Sequence, residues 1–412
     1  MNPYWTMKLC CGDGVIGIAI RRSLRGVAPT ARPRRPRSIG GEKDRRPTLL
    51  RVSLISGLVA ISCATGPVPA VAARWSLHLL PRPAGLERRS LSARLDGVSC
   101  PTPTWCVAVG IVVARPGAEL PLIEQWNGSR WSRQPSPRLA GASLDAVSCT
   151  SNRSCVSIGS IGTHGLVERL HRGVWTRGLL PRPLTSVSCS AATTCTAVGG
   201  KLAFRWDGKR WRSQQTARPG RSALGGVALQ AVSCPSAGSC LAVGNNGCES
   251  LAERWNGSRW AVLRTPDAGY CTKRGTGATS FTGVSCASAS ACIAVGTIQP
   301  LTESQIDRPL TERWNGLRWS MQRTGEVTSA LSCPAVGSCT AVGVQPPLVN
   351  AERWNGMRWT AQPLPVPRTS QLGWSLDAVS CASPTRCIAV GGLTDALTEE
   401  RPLVAEYRGS AE

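Results

Sequence analysis

Seven pairs of cysteines, each pair six positions apart, are spread through this chain inside near-copies of one short text. The pairs are Cys100/Cys106, Cys149/Cys155, Cys189/Cys195, Cys234/Cys240, Cys286/Cys292, Cys333/Cys339 and Cys381/Cys387, and successive pairs lie 49, 40, 45, 52, 47 and 48 residues apart. Around each pair the text reads L-x-x-V-S-C, five variable residues, then C-x-A-V-G, as in "LQAVSCPSAGSCLAVG" from Leu229 to Gly244. Repetition at this period describes units that cannot bury an apolar face alone and must stack on their neighbours.

The second half of each unit is E-R-W-N-G-x-R-W, as in "ERWNGSRW" from Glu253 to Trp260, with relatives "EQWNGSRW", "FRWDGKRW", "ERWNGLRW" and "ERWNGMRW". The second unit degenerates to "ERLHRGVW". Short runs of β-branched and small residues flank a five-residue turn in the first half, and Asn-Gly marks a hairpin in the second. No run shows a helical period. Four antiparallel strands in a unit of about 47 residues is the signature of a propeller blade. The ends agree: "RWSLHLL" at Arg74 matches a fourth strand, and "VAEYRG" at Val404 matches a third strand whose fourth is missing. The reading is all-β, a seven-bladed β-propeller over 73–412, closed by pairing the N-terminal strand (about 74–80) with the last blade, which leaves no open sheet edge.

The turn ending in Gly257 and Trp260, or Gly128 and Trp131, resembles the Asp-box (BNR) turn of sialidase-type propellers, and kelch repeats share a late Gly and Trp. Here the Asp-box serine is absent, and Asn256 or Asp207 stands directly before the glycine. The resemblance implies the fold and carries over no catalytic residue.

Three chemistries compete for the paired cysteines, which stand among the candidate site residues. Zinc needs four ligands, but the chain has three histidines and no C-x-x-C, the spacing a redox pair would also use. Residues directly opposed in a non-hydrogen-bonded antiparallel pair are close enough for a disulfide, so the pairs read as staples across the first hairpin of each blade. In the chain-entropy model a loop this short contributes about 2 kcal/mol. Cys248 and Cys271 fall outside the repeat, in two loops of one face, and are expected to pair; Cys10 and Cys11 lie in the leader. Nineteen cysteines suit an oxidising compartment. Export fits the leader as well: Arg45, Arg46 and Arg51 precede the apolar "VSLISGLVAIS", and "PAVAA" offers a cleavage site after Ala72. Residues 49–72 thus read as a signal peptide, and 1–48 as a basic extension ahead of a later translation start. Cys63 offers an alternative lipid attachment point.

The net charge of +24, from 48 basic and 24 acidic residues, attracts acidic polymers without specificity. Many arginines, such as Arg130, Arg210, Arg259, Arg318 and Arg358, share one repeat position and are spread around the ring. That is not the groove nucleic acid requires, and no nucleic-acid partner is expected. Twelve of the fifteen tryptophans occupy fixed repeat positions as packing; Trp374 breaks the pattern and is a candidate ligand contact. The sequons at Asn127, Asn152 and Asn256 fall in turns, which account for them.

The turns between strands one and two, and between three and four, are short and constant; the other connections vary. Binding is expected on the variable face. There, two residues before the repeat Val or Leu of each first strand, stand Asp96, Asp145, Thr185, Gln230, Thr282, Ser329 and Asp377, a polar ring at the channel mouth. Asp96, Asp145 and Asp377 belong to blades that become neighbours on closure, so a calcium ion is one candidate ligand; bonding to local backbone is the alternative. No other cofactor is implied. The function expected is a secreted, non-catalytic recognition or scaffold module at a bacterial cell surface, monomeric, without a membrane span, that binds a cell-wall polymer, glycan or protein. A glycoside hydrolase- or lyase-like extracellular enzyme is the alternative. No G-x-S-x-G elbow, H-E-x-x-H or P-loop is present.

Overall fold

Strand after strand of β-branched and small residues, punctuated by turns that demand glycine, builds a ring of seven four-stranded antiparallel sheets. The computed structural model describes residues 74–409, apart from 82–89, 115–116, 137–138, 218, 220–225, 267–276, 300–306, 323–328, 346–347, 368–372 and 395–398. The expected leader (1–48), signal segment (49–72), Cys63 and Cys271 lie outside these residues.

Blades 1 to 6 are each a meander in chain order; blade 4, for example, runs Val227–Ser236, Ser239–Asn246, Glu249–Trp255 and Trp260–Leu263. Closure is as expected. The strand Arg74–Leu79 pairs antiparallel with Glu400–Arg408, Trp75 facing Tyr407, and completes blade 7. Trp75 and Tyr407 form a tilted pair with ring centroids 5.4 Å apart, repeating the Trp–Trp pair that blades 1, 3, 4, 5 and 6 place across the third hairpin, such as Trp255 and Trp260 at 5.8 Å; in blade 2 Leu170 faces Trp175 instead. Residues more than 300 positions apart thus rebuild what a hairpin makes locally.

The core lies between blades. One cluster joins Ala231, Leu241 and Val243 of blade 4 to Phe281, Ala294 and Leu310 of blade 5, and another joins blade 1 to Ile388, Val390 and Val404 of blade 7. Arginines of the third strands lie over the aromatic ring of the next blade: Arg169 sits 3.8 Å above Trp206, and Arg353 4.4 Å above Tyr407.

All seven disulfides form as expected, with Cα atoms 3.9–4.1 Å apart. They indicate an oxidising environment. Cys248 is disulfide-bonded too. The second cysteine of each pair is deeply buried, as a staple in the core would be. Cys106, Cys155, Cys195, Cys240 and Cys387 are only 0–2% exposed, and Cys292 and Cys339 are 3% exposed. Each belongs to an inter-blade core cluster, Cys106 with Leu95 and Val390, Cys155 with Leu144 and Leu166, and Cys195 with Val187 and Phe204. Cys240 packs with Val198 and Trp255, and Cys387 with Trp75 and Leu403. The physical reason is position: these cysteines sit on second strands, which have a strand on either side and a neighbouring blade against each face. Their sulfurs meet apolar side chains where a ligand would have to enter, so they are core staples and not a binding or reactive site.

The serine of V-S-C has its own task. The backbone N–H of the first cysteine of each pair donates to the Oγ of the serine in the preceding blade, from Cys149 to Ser99 and onward to Cys381 with Ser332. Cys100 to Ser380, at 2.9 Å, closes the circle. Seven hydroxyls thus form a belt that satisfies a backbone donor at every blade boundary.

The short turns all lie on one face, here called the constant face, where the turn between strands three and four packs on the turn between strands one and two, as Gly257 does on Gly238. In the N-G-x-R-W turn, Asn256 Oδ1 accepts from the N–H groups of Ser258 and Arg259, while Gly257 takes φ +97°, a left-handed conformation suited to glycine. Asn127, Asp207, Asn315 and Asn355 act in the same way. The turn accounts for the sequons at Asn127 and Asn256.

Candidate functional site at the channel mouth

All seven polar residues singled out in the sequence line one cavity of about 250 Å³, together with the two residues that follow each of them, except that only Ala231 follows Gln230 there. A bulge aims them there. In blades 1, 2, 4 and 5 the ladder between the first two strands slips at this residue, as between Leu95 and Gly97 or Leu229 and Ala231. In blades 3 and 7 the extra residue is Thr185 or Asp377, whose N–H bonds the same carbonyl region, Val198 or Val390, that the next residue faces. A bulge inserts a residue and turns its side chain out of the alternation. The last glycine of C-x-A-V-G makes room for this: a Cβ on Gly110 would fall on the Arg94 carbonyl, and one on Gly244 on the Ala228 carbonyl.

The ring is unequal. On its neutral side the hydroxyls knit blades together, Thr185 donating to the Gln230 carbonyl at 3.0 Å and Thr282 to the Ser329 carbonyl at 3.3 Å. Gln230 donates to Ser280 Oγ. Bonding to local backbone thus accounts for these two threonines.

On the other side stand the carboxylates. Arg94 Nε donates to Asp96 Oδ1 at 2.7 Å, Ser143 Oγ to Asp145 Oδ1 at 3.1 Å, and Ser375 Oγ to Asp377 Oδ2 at 2.9 Å. Burial pushes all three above the usual aspartate range, against the pull of those bonds; the charge of Asp96 pushes Asp145 and Asp377 further. Glu400 is raised by burial and by the charges of Asp377 and Asp96, and lies 4.0 Å from Arg94, which pulls it down. Burial works against the Arg94 guanidinium, yet its bond to Asp96 and the charges of Asp96, Glu400 and Asp377 hold it above its ordinary value. Four carboxylates therefore share a single guanidinium.

Arg94 and Glu400 were not among the expected site residues. The signal was present: Arg94, Ser143 and Ser375 each stand two positions before an aspartate, in R-L-D or S-L-D, and only the three acidic blades have that text. Among the described residues no three His, Cys, Asp or Glu side chains are grouped so as to hold a metal ion. Calcium therefore gains no support from these aspartates; the charge they meet is a guanidinium. Trp374 does not line the cavity. It forms a two-residue strand facing Thr394 and Leu393 with Gly373, and packs half-buried against the core of blade 7.

Seven four-stranded blades around a polar-mouthed channel define the chain as a seven-bladed β-propeller. No protein-family model matches the sequence, and no curated protein matches it either. Its likenesses are structural. The structure of U3-55K superposes with a TM-score of 0.53 at 10% identity, covering 81% of this chain and 98% of that one. YCF48 bound to D1 peptide gives 0.53 at 12%, covering 82% and 97%. YCF48 from Cyanidioschyzon merolae gives 0.51 at 14%, covering 82% and 99%. Identities this low establish the fold alone, so the Asp-box and kelch resemblance stays at the level of architecture. No helix among the described residues is long and apolar enough to cross a membrane.

Proposed function

We propose that this chain is a non-catalytic recognition or scaffold module of an extracellular compartment, and that a segment of a protein or glycan enters its channel mouth. The observation that carries the reading is the cavity itself: three aspartates gathered from blades 7, 1 and 2, each with one oxygen bonded and the other turned to no protein donor among the described residues. Such acceptors suit a ligand end rich in N–H or O–H donors, above all one with a positive charge. YCF48 offers a parallel, a propeller solved with a peptide bound. The test is retention of the oxidised protein on insoluble cell-wall fractions, immobilised basic peptides and polysaccharides, in low and high salt. The triple variant D96N/D145N/D377N is expected to lose retention at least tenfold with no fall in Tm, because it removes clustered like charges. Retention equal to that of the parent would sink the reading.

A second reading rests on the raised protonation range of Asp145 and Asp377, which a general acid needs. It makes the mouth a hydrolase- or lyase-like centre. Release of reducing ends from the same polysaccharides, abolished in the triple variant, would establish it in place of the first.

A further inference from the structure

The strongest exposure of apolar side chains is on the constant face, opposite the mouth. Leu317 and Met357 are 89% and 88% exposed, and Val336 is 65% exposed. Leu317 and Met357 occupy the same place in the N-G-x-R-W turns of blades 5 and 6, where the other intact turns have Ser129, Lys209 and Ser258. Val336 tips the disulfide turn of blade 6, the only one with a valine there. Its neighbour Gly337 lies against Gly356, so a Cβ on Gly337 would be 3.5 Å from the Gly356 Cα. The two blades are adjacent, joined by the Cys333 N–H to Ser285 Oγ bond. Three apolar tips are therefore gathered on one sector, and the turn chemistry does not need them: serine and lysine serve elsewhere.

Leu317 and Met357 are each followed by an arginine. Arg318 and Arg358 are exposed and form no ion pair among the described residues; Arg130, Arg210 and Arg259 continue the same row around the face, with Lys209 beside it. The one carboxylate in these turns, Asp207, is engaged: its Oδ1 takes two turn N–H groups and its Oδ2 lies 2.7 Å from Arg212 Nε. The mouth is acidic and this face is basic. A row of cations with protruding apolar tips has the two features of a surface that docks on a charged interface: the tips enter the acyl boundary and the cations meet the phosphates. A soluble polyanion would use the cations and leave the tips idle.

We infer that the constant face, led by Leu317 and Met357 with Arg318 and Arg358, docks on a bilayer that contains anionic phospholipid. The protein would then lie on the membrane with its channel mouth directed away from the lipid. This is a contact of turn tips, not a span.

The experiment is flotation of the full chain with phosphatidylcholine vesicles, pure or with about one third phosphatidylglycerol. The parent floats with the mixed vesicles and not with the pure ones. L317S/M357S is expected to lower the partition coefficient about tenfold in the same buffer, and R318Q/R358Q by about tenfold with a weaker salt dependence. These side chains are exposed, so Tm serves as the folding control and stays unchanged. The inference is overturned if both double variants float as the parent does, which would place the lipid contact elsewhere in the chain. It is equally overturned if L317S/M357S floats normally while R318Q/R358Q loses both vesicles and heparin, the behaviour of a polyanion site. The D96N/D145N/D377N variant is expected to float normally, which separates this test from that of the mouth.

Discussion

On the constant face each blade is tied by a disulfide between its first two strands, and five blades by an Asx-capped turn between the last two; on the variable face the connections differ in length and composition from blade to blade. The contrast continues in charge, with arginines along the constant turns and four carboxylates around Arg94 at the mouth. Local bonds hold the constant face, so its text repeats. The variable face is held at a distance, by a ring closed where Arg74–Leu79 pairs with Glu400–Arg408, so its loops are free to diverge. The two aromatic tiers show the same thing: a Trp–Trp pair made within a hairpin, and a Trp75–Tyr407 pair made across the whole chain, reach nearly equal centroid distances of 5.7 and 5.4 Å.

The largest expected effect breaks the constant face. Seven staples at about 2 kcal/mol each amount to as much as the whole stability of an ordinary domain. Full reduction under non-denaturing conditions is therefore expected to abolish the cooperative transition, as read by calorimetry. A single pair, C234S/C240S, should lower stability by about 2 kcal/mol and leave the ring closed. A reduced protein with an unchanged Tm would show that the belt of serines and the inter-blade core suffice.

Next in size is a dependence on pH that belongs to neither face. The third strands bury Glu124, Glu168, Glu253 and Glu312 between blades, and burial pushes the first three up to about 7 and Glu312 to about 8 from an ordinary 4.5. Arg133 moderates Glu124, Ser136 and Arg177 moderate Glu168, and the Ala217 N–H moderates Glu253. A carboxyl whose folded pKa is raised favours the fold at low pH, and that contribution is lost as pH climbs from the unfolded value through the folded one. Tm is expected to be higher at pH 5 than at pH 8, by roughly 5 °C or more. E312Q should flatten the profile. A profile that rises from pH 5 to pH 8 would mean that these groups ionise with partners.

Smaller effects sharpen the comparison. S188A removes the acceptor of the Cys234 N–H and is expected to cost about 1–2 kcal/mol in urea unfolding. N256A removes the oxygen that caps the third turn of blade 4, and about 0.5–1 kcal/mol is expected. Equal costs for the two would deny the belt its part in joining blades.

The seven-fold text by itself determined the four-stranded blades, the pairing of the seven repeat disulfides, the hairpins and the closure, because each rests on contacts within one unit or on matching ends. It also determined which seven residues meet at the mouth, since a ring brings one repeat position to one place. Only the tertiary structure decided how they meet. The bulge that aims Asp96 inward depends on the fit of Gly110 against the Arg94 carbonyl, a clash between strands that no pattern of apolar residues encodes. The same holds for the serine belt, for the depth at which Cys106 and its counterparts are buried, and for the sharing of Arg94 among four carboxylates: these depend on distances between blades, set when the circle closes. Trp374 is placed by the fold as well: its odd position in the text marks it as a candidate ligand contact, and that it rests half-buried against the core of blade 7 follows only from the strand it forms there.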